Sequence, residues 1–395
     1  MIDIKEKHNC CGCSACVQIC PKQCISMSAD NEGFLYPQVN SLICIDCGLC
    51  EKVCPVINQN EPREPLAIYA AKNINEEIRL KSSSGGIFTL LAEHVIAEGG
   101  VVFGARFNED WEVIHDYTET IEGLEPFRGS KYVQSVIGDN FIKAKRFLTD
   151  GRKVLFSGTP CQIAGLKKYL RKEYTNLLTV DIICHGVPSS LVWRKYKNEI
   201  IKLANSCENL SDSIMLNNVN FRDKKNGWKD YQCTYSVVNT FDNKKTNFTY
   251  EHFQDPYMRL FISNYSLRPS CYDCPSKAGK SGSNITLGDC WGIKRLIKSF
   301  DDDRGVGVCV IHNNSELLDI ILRETECVML PSNYLNNYNR SYNISSSVPH
   351  NRHVFYDVIL RVDDIISSAQ LFMPPKGHIK NIIDRIIRVT KRILG

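Results

Sequence analysis

The feature that most constrains this chain is a four-cysteine phrase written twice near its start. Cys10, Cys13, Cys16 and Cys20 followed by Pro21 read C-x2-C-x2-C-x3-C-P, and Cys44, Cys47, Cys50 and Cys54 followed by Pro55 read the same. Two-residue gaps wrap a chain tightly enough to set three thiolates on three corners of one cubane, and the fourth cysteine, beyond their reach, ligates the other cluster. The spacing therefore assigns Cys10, Cys13, Cys16 and Cys54 to one [4Fe–4S] cluster, and Cys44, Cys47, Cys50 and Cys20 to a second. Cys11 and Cys24 fall out of register and are not expected to be ligands. Zinc sites use one or two C-x2-C pairs and give no reason to repeat this unit.

The doubled phrase is the bacterial-type 2[4Fe–4S] ferredoxin pattern, and it marks residues 1–60 as a ferredoxin module. The first residues, Met1-Ile2-Asp3-Ile4-Lys5-Glu6-Lys7, are charged and lack the apolar core of a signal peptide. No apolar run approaches the ~20 residues of a membrane-spanning helix. Nineteen cysteines without an export signal point to a reducing compartment, so a cytoplasmic location is expected. A net charge of +4 over 395 residues gives no argument for nucleic-acid binding.

Beyond the module, Asn31-Glu32-Gly33 reads as a hairpin turn, and residues 56–65, with Pro55, Pro62 and Pro65 around mixed charges, read as a linker. Strand patterns at 66–71, 101–103, 113–115, 154–157, 177–184, 285–288 and 306–312 alternate with helix patterns at 87–97, 141–148, 160–170, 188–204, 257–263 and 316–324. This rhythm predicts an α/β core over 66–330, divided near residue 150, with parallel strands. Residues 213–250 read as an antiparallel β insertion, and 350–395 as C-terminal helices. In the tail, Ile379, Ile382, Ile383, Ile386, Val389 and Ile393 share one helical face opposite five basic residues. Such a helix behind Pro374-Pro375 folds back on its own domain, or attaches to a partner or the inner membrane face.

Three further phrases carry chemistry. Ser82-Ser83-Ser84-Gly85-Gly86 precedes a helix, where free N–H groups and the helix dipole favour an anion; the equal alternative is an ordinary N-cap with a flexible Gly pair. In Ser157-Gly158-Thr159-Pro160-Cys161-Gln162, Thr159 and Gln162 have capping-box spacing, which sets Cys161 in a first helical turn where the dipole favours a thiolate. Cys184 ends the next strand, and Cys271 and Cys274 form a C-x2-C pair. Two strand-end cysteines plus that pair could hold a third [4Fe–4S] cluster, or each could be an ordinary buried cysteine.

The succession of SSGG, RGSKYVQS (Arg128–Ser135), SGTPCQIAGL (Ser157–Leu166), CHGVPS (Cys184–Ser189), CYDCP (Cys271–Pro275) and ITLGDCWGI (Ile285–Ile293) resembles the coenzyme F420 hydrogenase/dehydrogenase beta subunits, up to about residue 330. The resemblance implies an iron–sulfur flavoprotein oxidoreductase with Cys161, Cys184, Cys271 and Cys274 as ligands. It further implies a flavin, FAD with FMN as the alternative, near Ser84, Gly85, Gly86, Lys131, Tyr132, Gly158 and Thr159. The acceptor is F420 in some members and a pigment in others, and many members occur beside surface-polysaccharide genes; a redox protein or ferredoxin is the expected partner. The competing reading is a flavin-free ferredoxin-type subunit that serves a separate catalytic partner.

Overall fold

The computed structural model of the protein describes residues 1–208, 214–313, 315–362 and 364–373. The tail pattern at 377–395 lies outside the described residues.

The doubled sequence phrase produces a doubled backbone. Short helices α1 (Ala15–Ile19) and α2 (Leu49–Lys52) each begin inside one cysteine run, on either side of a hairpin of β1 (Ile25–Ala29) and β2 (Leu35–Val39). Gly12 and Ser14 in the first run, and Asp46 and Gly48 in the second, have positive φ. A left-handed residue on each side of the second cysteine thus recurs at equivalent positions, which is how two-residue gaps turn the chain back around one point.

The core order is β3 (Ala67–Asn73), α3 (Glu76–Lys81), α4 (Ile87–Ala97), β4 (Val101–Phe107), β5 (Val113–Thr118), α5 (Asn140–Thr149), β6 (Val154–Gly158), α6 (Pro160–Leu170), β7 (Leu177–Ile182) and α7 (Ser190–Glu208). Then come β8 (Ile214–Asp223), β9 (Gln232–Asn239), β10 (Lys245–Glu251), α8 (Pro256–Ile262), β11 (Ile285–Asp289), α9 (Ile293–Leu296), β12 (Gly307–Ile311), α10 (Ser315–Glu324) and β13 (Thr325–Met329). Three helices follow: α11 (Tyr334–Tyr338), α12 (Arg352–Arg361) and α13 (Ile365–Phe372).

Eight strands form one mixed sheet in the order β13-β3-β12-β11-β7-β6-β4-β5. The four neighbours β11, β7, β6 and β4 are parallel, whereas β12, β3, β13 and β5 pair antiparallel. The expectation of parallel strands therefore holds only for the centre. Crossover helices follow β6 and β7, but β5 returns from β4 without a helix, so its direction must reverse. Side chains alternate across the sheet: Val102 and Leu155 pack under α4 and α10, while Phe103 and Phe156 face α5, α6 and residues Cys11, Cys13 and Ala15 of the module. Strands β8, β9 and β10 form a separate antiparallel sheet. Its Phe221 and Tyr235 pack with Trp193 and Tyr196 of α7 and Phe355 of α12.

Residues 56–65 are a tether rather than a free linker. The Arg63 amide donates to Ala278 O at 3.0 Å, its guanidinium to Ser283 O at 2.6 Å, and Asn60 to Lys280 O at 2.8 Å. The Asn31-Glu32-Gly33 turn docks as well. Ser190 Oγ donates to Gly33 O at 2.8 Å, and Glu32 forms an ion pair at 2.6 Å with Arg352 on α12. Gly33 has φ +84°, and a Cβ there would lie 2.5 Å from Leu191 Cβ, so only glycine permits this approach. No described helix is long and apolar enough to cross a membrane.

Candidate functional site

The second cysteine set of the module encloses a space. Cys20, Cys44, Cys47 and Cys50 line one partly open pocket, together with Cys24 and Met1. Backbone amides point at its sulfurs, Ile2 N to Cys50 Sγ at 3.3 Å and Asp46 N to Cys44 Sγ at 3.4 Å. Such N–H···S bonds stabilise thiolates and tune a cluster's potential. Cys24 is a neighbour, its sulfur 3.3 Å from that of Cys20.

The first set is buried deeper. Burial, with Cys10 and Cys54 alongside, pushes the Cys16 thiol up to about 12. Cys54 is raised by burial and by Cys10 and Cys50; Cys13 is raised by burial and Cys16 against a hydrogen bond with Cys11. Sulfurs crowded in this way oppose each other's ionisation, and a bound cationic centre relieves the conflict, so this donor set fits an iron–sulfur cluster.

The core set is assembled by strand register. Gly158 on β6 pairs with Asp181 on β7, and Cys161 and Cys184 each lie three residues beyond that pair, so both leave the sheet at one level. The turn carrying Cys271 and Cys274 closes against them. Burial, Cys161 and Cys274 push the Cys184 thiol up to about 12 even though Lys277 opposes this; burial and Cys161 raise Cys274 to about 11. Cys271 is raised by burial, Cys184 and Cys274. The capping box of Thr159 and Gln162 forms as its spacing predicts. The helix dipole does not give Cys161 a low pKa, however: the neighbouring Cys11 thiol and burial hold this thiol well above the usual range. All twelve expected ligands therefore fall into three neighbour sets. Among the described residues none of these sets is contracted to coordination distance around one point.

The seven residues expected around a flavin are occupied within the protein. Ser84 Oγ donates to Val306 O at 2.8 Å, and a Cβ on Gly85 would lie 2.3 Å from Ala71 O, so strand packing alone demands that glycine. Gly86, with φ +81°, caps α4. Lys131 Nζ donates to the carbonyls of Pro126, Arg128 and Gly129. Burial draws its pKa down to about 7. Tyr132 packs on Phe221 and Phe261; Gly158 lies beside Gln162, and Thr159 belongs to the capping box. The Ser-Gly-Gly turn and Tyr132 do meet at Arg222, which reaches Tyr132 Oη at 3.3 Å and Ser83 O at 3.4 Å and keeps a buried Nε without a partner. Neither cavity at the cysteine sites reaches these seven residues, so the contacts fit a flavin only in part.

Residues 151–324 match the C terminus of the coenzyme F420 hydrogenase/dehydrogenase beta subunit, and residues 9–58 match a 4Fe-4S dicluster domain. An F(420)H(2) dehydrogenase subunit of Methanosarcina mazei is 24% identical over 197 residues, which is 46% of this chain and 55% of that protein. The Ferredoxin 7Fe of Hydrogenibacillus schlegelii is 46% identical over 43 residues, 11% of this chain and 49% of that protein. A ferredoxin of Mycolicibacterium smegmatis is 31% identical over 87 residues, 21% of this chain and 71% of that protein. The chain thus joins a domain of the coenzyme F420 hydrogenase/dehydrogenase beta subunit family, over residues 151–324, to an N-terminal 4Fe-4S dicluster domain. It spans about half the length of the first two of these curated relatives. A chain from the xenon-derivatized F420-reducing [NiFe] hydrogenase complex of Methanosarcina barkeri aligns with 78% of this chain and 91% of its own length, at 15% identity and a TM-score of 0.42. That similarity is too low to carry an argument.

Sequence reasoning misses three residues that join the dicluster domain to the core. Gly165 stands four residues after Cys161, on the same face of α6, and a Cβ there would lie 2.9 Å from Cys13 Sγ. Cys11, out of register as a ligand, lies beside both Cys13 and Cys161 and fills the seam between the two sets. Arg268, three residues before Cys271, is fully buried against Cys10. The small residue one turn beyond Cys161 was a legible signal; the other two depend on tertiary placement.

Proposed function

We propose that the protein is an iron–sulfur oxidoreductase that moves electrons along three [4Fe–4S] sites. In order these are the Cys20, Cys44, Cys47 and Cys50 site, the Cys10, Cys13, Cys16 and Cys54 site, and the Cys161, Cys184, Cys271 and Cys274 site. One observation carries the reading: the three sets adjoin in sequence, Cys54 beside Cys50 and Cys11 between Cys13 and Cys161. Clusters bound there supply one-electron transfer. The chain's own part is to bury them, to aim amides at sulfur, and to hold the sets in line with α6 as the shared wall.

The family supports a flavin, FAD or FMN, as the two-electron partner. It also supports a small-molecule acceptor, either F420-type or another organic compound, and a redox protein as electron donor or acceptor. The residues expected to hold a flavin are engaged with neighbouring groups of the protein, so no step runs through that group. The proposed units are the module at 1–60, the core at 66–330 and the C-terminal helices at 350–395; a cytoplasmic location is part of the same proposal.

Anaerobic purification with iron and acid-labile sulfide assays tests the three sites, and about twelve of each per chain are expected. Saturation at about eight overturns the core site. Cofactor extraction from the same sample decides the rest. Iron-replete protein that neither contains nor takes up flavin is a flavin-free subunit serving a separate catalytic partner.

A further inference from the structure

Among the described residues, Arg268 is a buried cation with no carboxylate partner. Its side chain is fully enclosed, and every partner is neutral or a cysteine: Nε donates to Cys10 O at 2.7 Å, Nη1 to Gln134 Oε1 at 3.1 Å, and Nη2 to Leu35 O at 2.9 Å and towards Cys10 Sγ at 3.6 Å. Tyr36 and Phe34 lie over the guanidinium at 4.4 and 5.4 Å. The cysteine turn makes room for it, since a Cβ on Gly12 would fall 2.8 Å from Nη1. The group stands between two of the cysteine sets. It acts on Cys10, Cys11 and Cys271, and it draws the Cys161 thiol down.

An enclosed charge needs an opposite charge nearby, because dipoles and ring faces repay only part of its lost hydration. A thiolate-bound cluster is an anion and becomes more negative on reduction. We propose that Arg268 is the counter-ion of the cluster held by Cys10, Cys13, Cys16 and Cys54, and that it raises that cluster's reduction potential so that electrons rest at the junction between module and core. This rests on the three-site reading above. Arg268 is a positioning residue in this scheme: it ligates nothing, and its cation favours the reduced state over the oxidised one by Coulomb attraction.

The test is an anaerobic redox titration of the full-length protein followed by EPR. Arg268→Gln should lower the midpoint of the Cys10 cluster by at least tenfold in the reduction equilibrium, ~59 mV for one electron. The Cys20, Cys44, Cys47 and Cys50 cluster should stay within a third of that shift, and Arg268→Lys should restore most of the loss. Gln134→Glu supplies a second route, since it leaves the guanidinium in place and neutralises it, and the same downward shift is expected. A cluster-replete Arg268→Gln protein with the wild-type midpoint overturns the inference. Should Arg268→Gln fail to assemble, an unshifted Gln134→Glu overturns it alone. Wild-type protein without the N-terminal cluster signals removes the three-site reading and this inference together, whereas full iron with unshifted midpoints removes only the inference.

Discussion

The module and the core gather their cysteines by opposite routes. In the module, the eight cysteines proposed as ligands lie within residues 10–54, and paired left-handed residues wrap each run around its own centre. In the core, Cys161, Cys184, Cys271 and Cys274 come together only because β6 and β7 run parallel in one register and a later turn closes over their ends. The first kind of site is a chelate written in the local chain. The second is a product of the fold, and it should depend on everything that holds the fold. The two meet across α6, where Gly165 admits Cys13 beside Cys161.

The largest test of this contrast removes one ligand from each kind. Cys47→Ala and Cys271→Ser should each reduce iron from about twelve to about eight per chain. Each should leave the other region's clusters visible by EPR. If Cys271→Ser retains full iron, the core cysteines are structural, and the contrast is between a site and no site.

The next effect concerns docking. Arg352 and Glu32 are an ion pair with side-chain exposures of 11% and 14%, and Arg352 Nε also donates to Tyr272 Oη at 2.9 Å. Glu32→Gln leaves that guanidinium enclosed without its carboxylate, which costs about 3 kcal/mol. Denaturant unfolding should then separate a module transition from a core transition. One cooperative transition at the wild-type midpoint would mean that the hairpin turn contributes little to holding the module.

A smaller effect tests the shared wall. Gly165→Ala places a methyl 2.8 Å from Cys13 Cβ, and overpacking of this kind costs about 1–3 kcal/mol. The variant should surrender iron from the Cys10 cluster faster than wild type under chelator challenge. Core iron should leave at the wild-type rate.

The same contrast explains what could be read before the fold was known. The cysteine spacing is local, as are the capping box of Thr159 and Gln162 and the strands expected at 154–157 and 177–184, which form at Val154–Gly158 and Leu177–Ile182. Strand direction is not legible, because Ala67–Asn73 and Gly307–Ile311 have apolar patterns that suit either orientation. The tether at 56–65 looks like a linker because its acceptors, Ala278, Lys280 and Ser283, lie more than 200 residues away. Gly85 reads as part of a phosphate turn, but its neighbour Ala71 O comes from an adjacent strand. Arg268 is visible in the sequence as an ordinary arginine; only enclosure without a carboxylate marks it out.

The smallest effect is titration, and it falls on the core. The module's one histidine, His8, is exposed, whereas His115 on β5 is buried, with Nε2 2.9 Å from Ser157 O and Nδ1 unpartnered. Burial lowers the His115 pKa to about 4 from an ordinary 6.5. Below pH 6.5 the unfolded chain therefore binds a proton that the folded chain refuses, and this group's contribution to stability falls as pH drops from 6.5 towards 4. Buried Asp255 acts in the opposite sense. Burial raises its pKa to about 6, so the folded chain gains protons between pH 6 and 3.8 and offsets the imidazole. A shallow wild-type profile is expected from the two together. His115→Gln removes only the imidazole's share, so its deficit relative to wild type should shrink between pH 7 and 5.5 in anaerobic denaturant titrations. A deficit that stays constant over that interval would mean that His115 is protonated in the folded protein, and that the imidazole has access to water at the edge of the sheet.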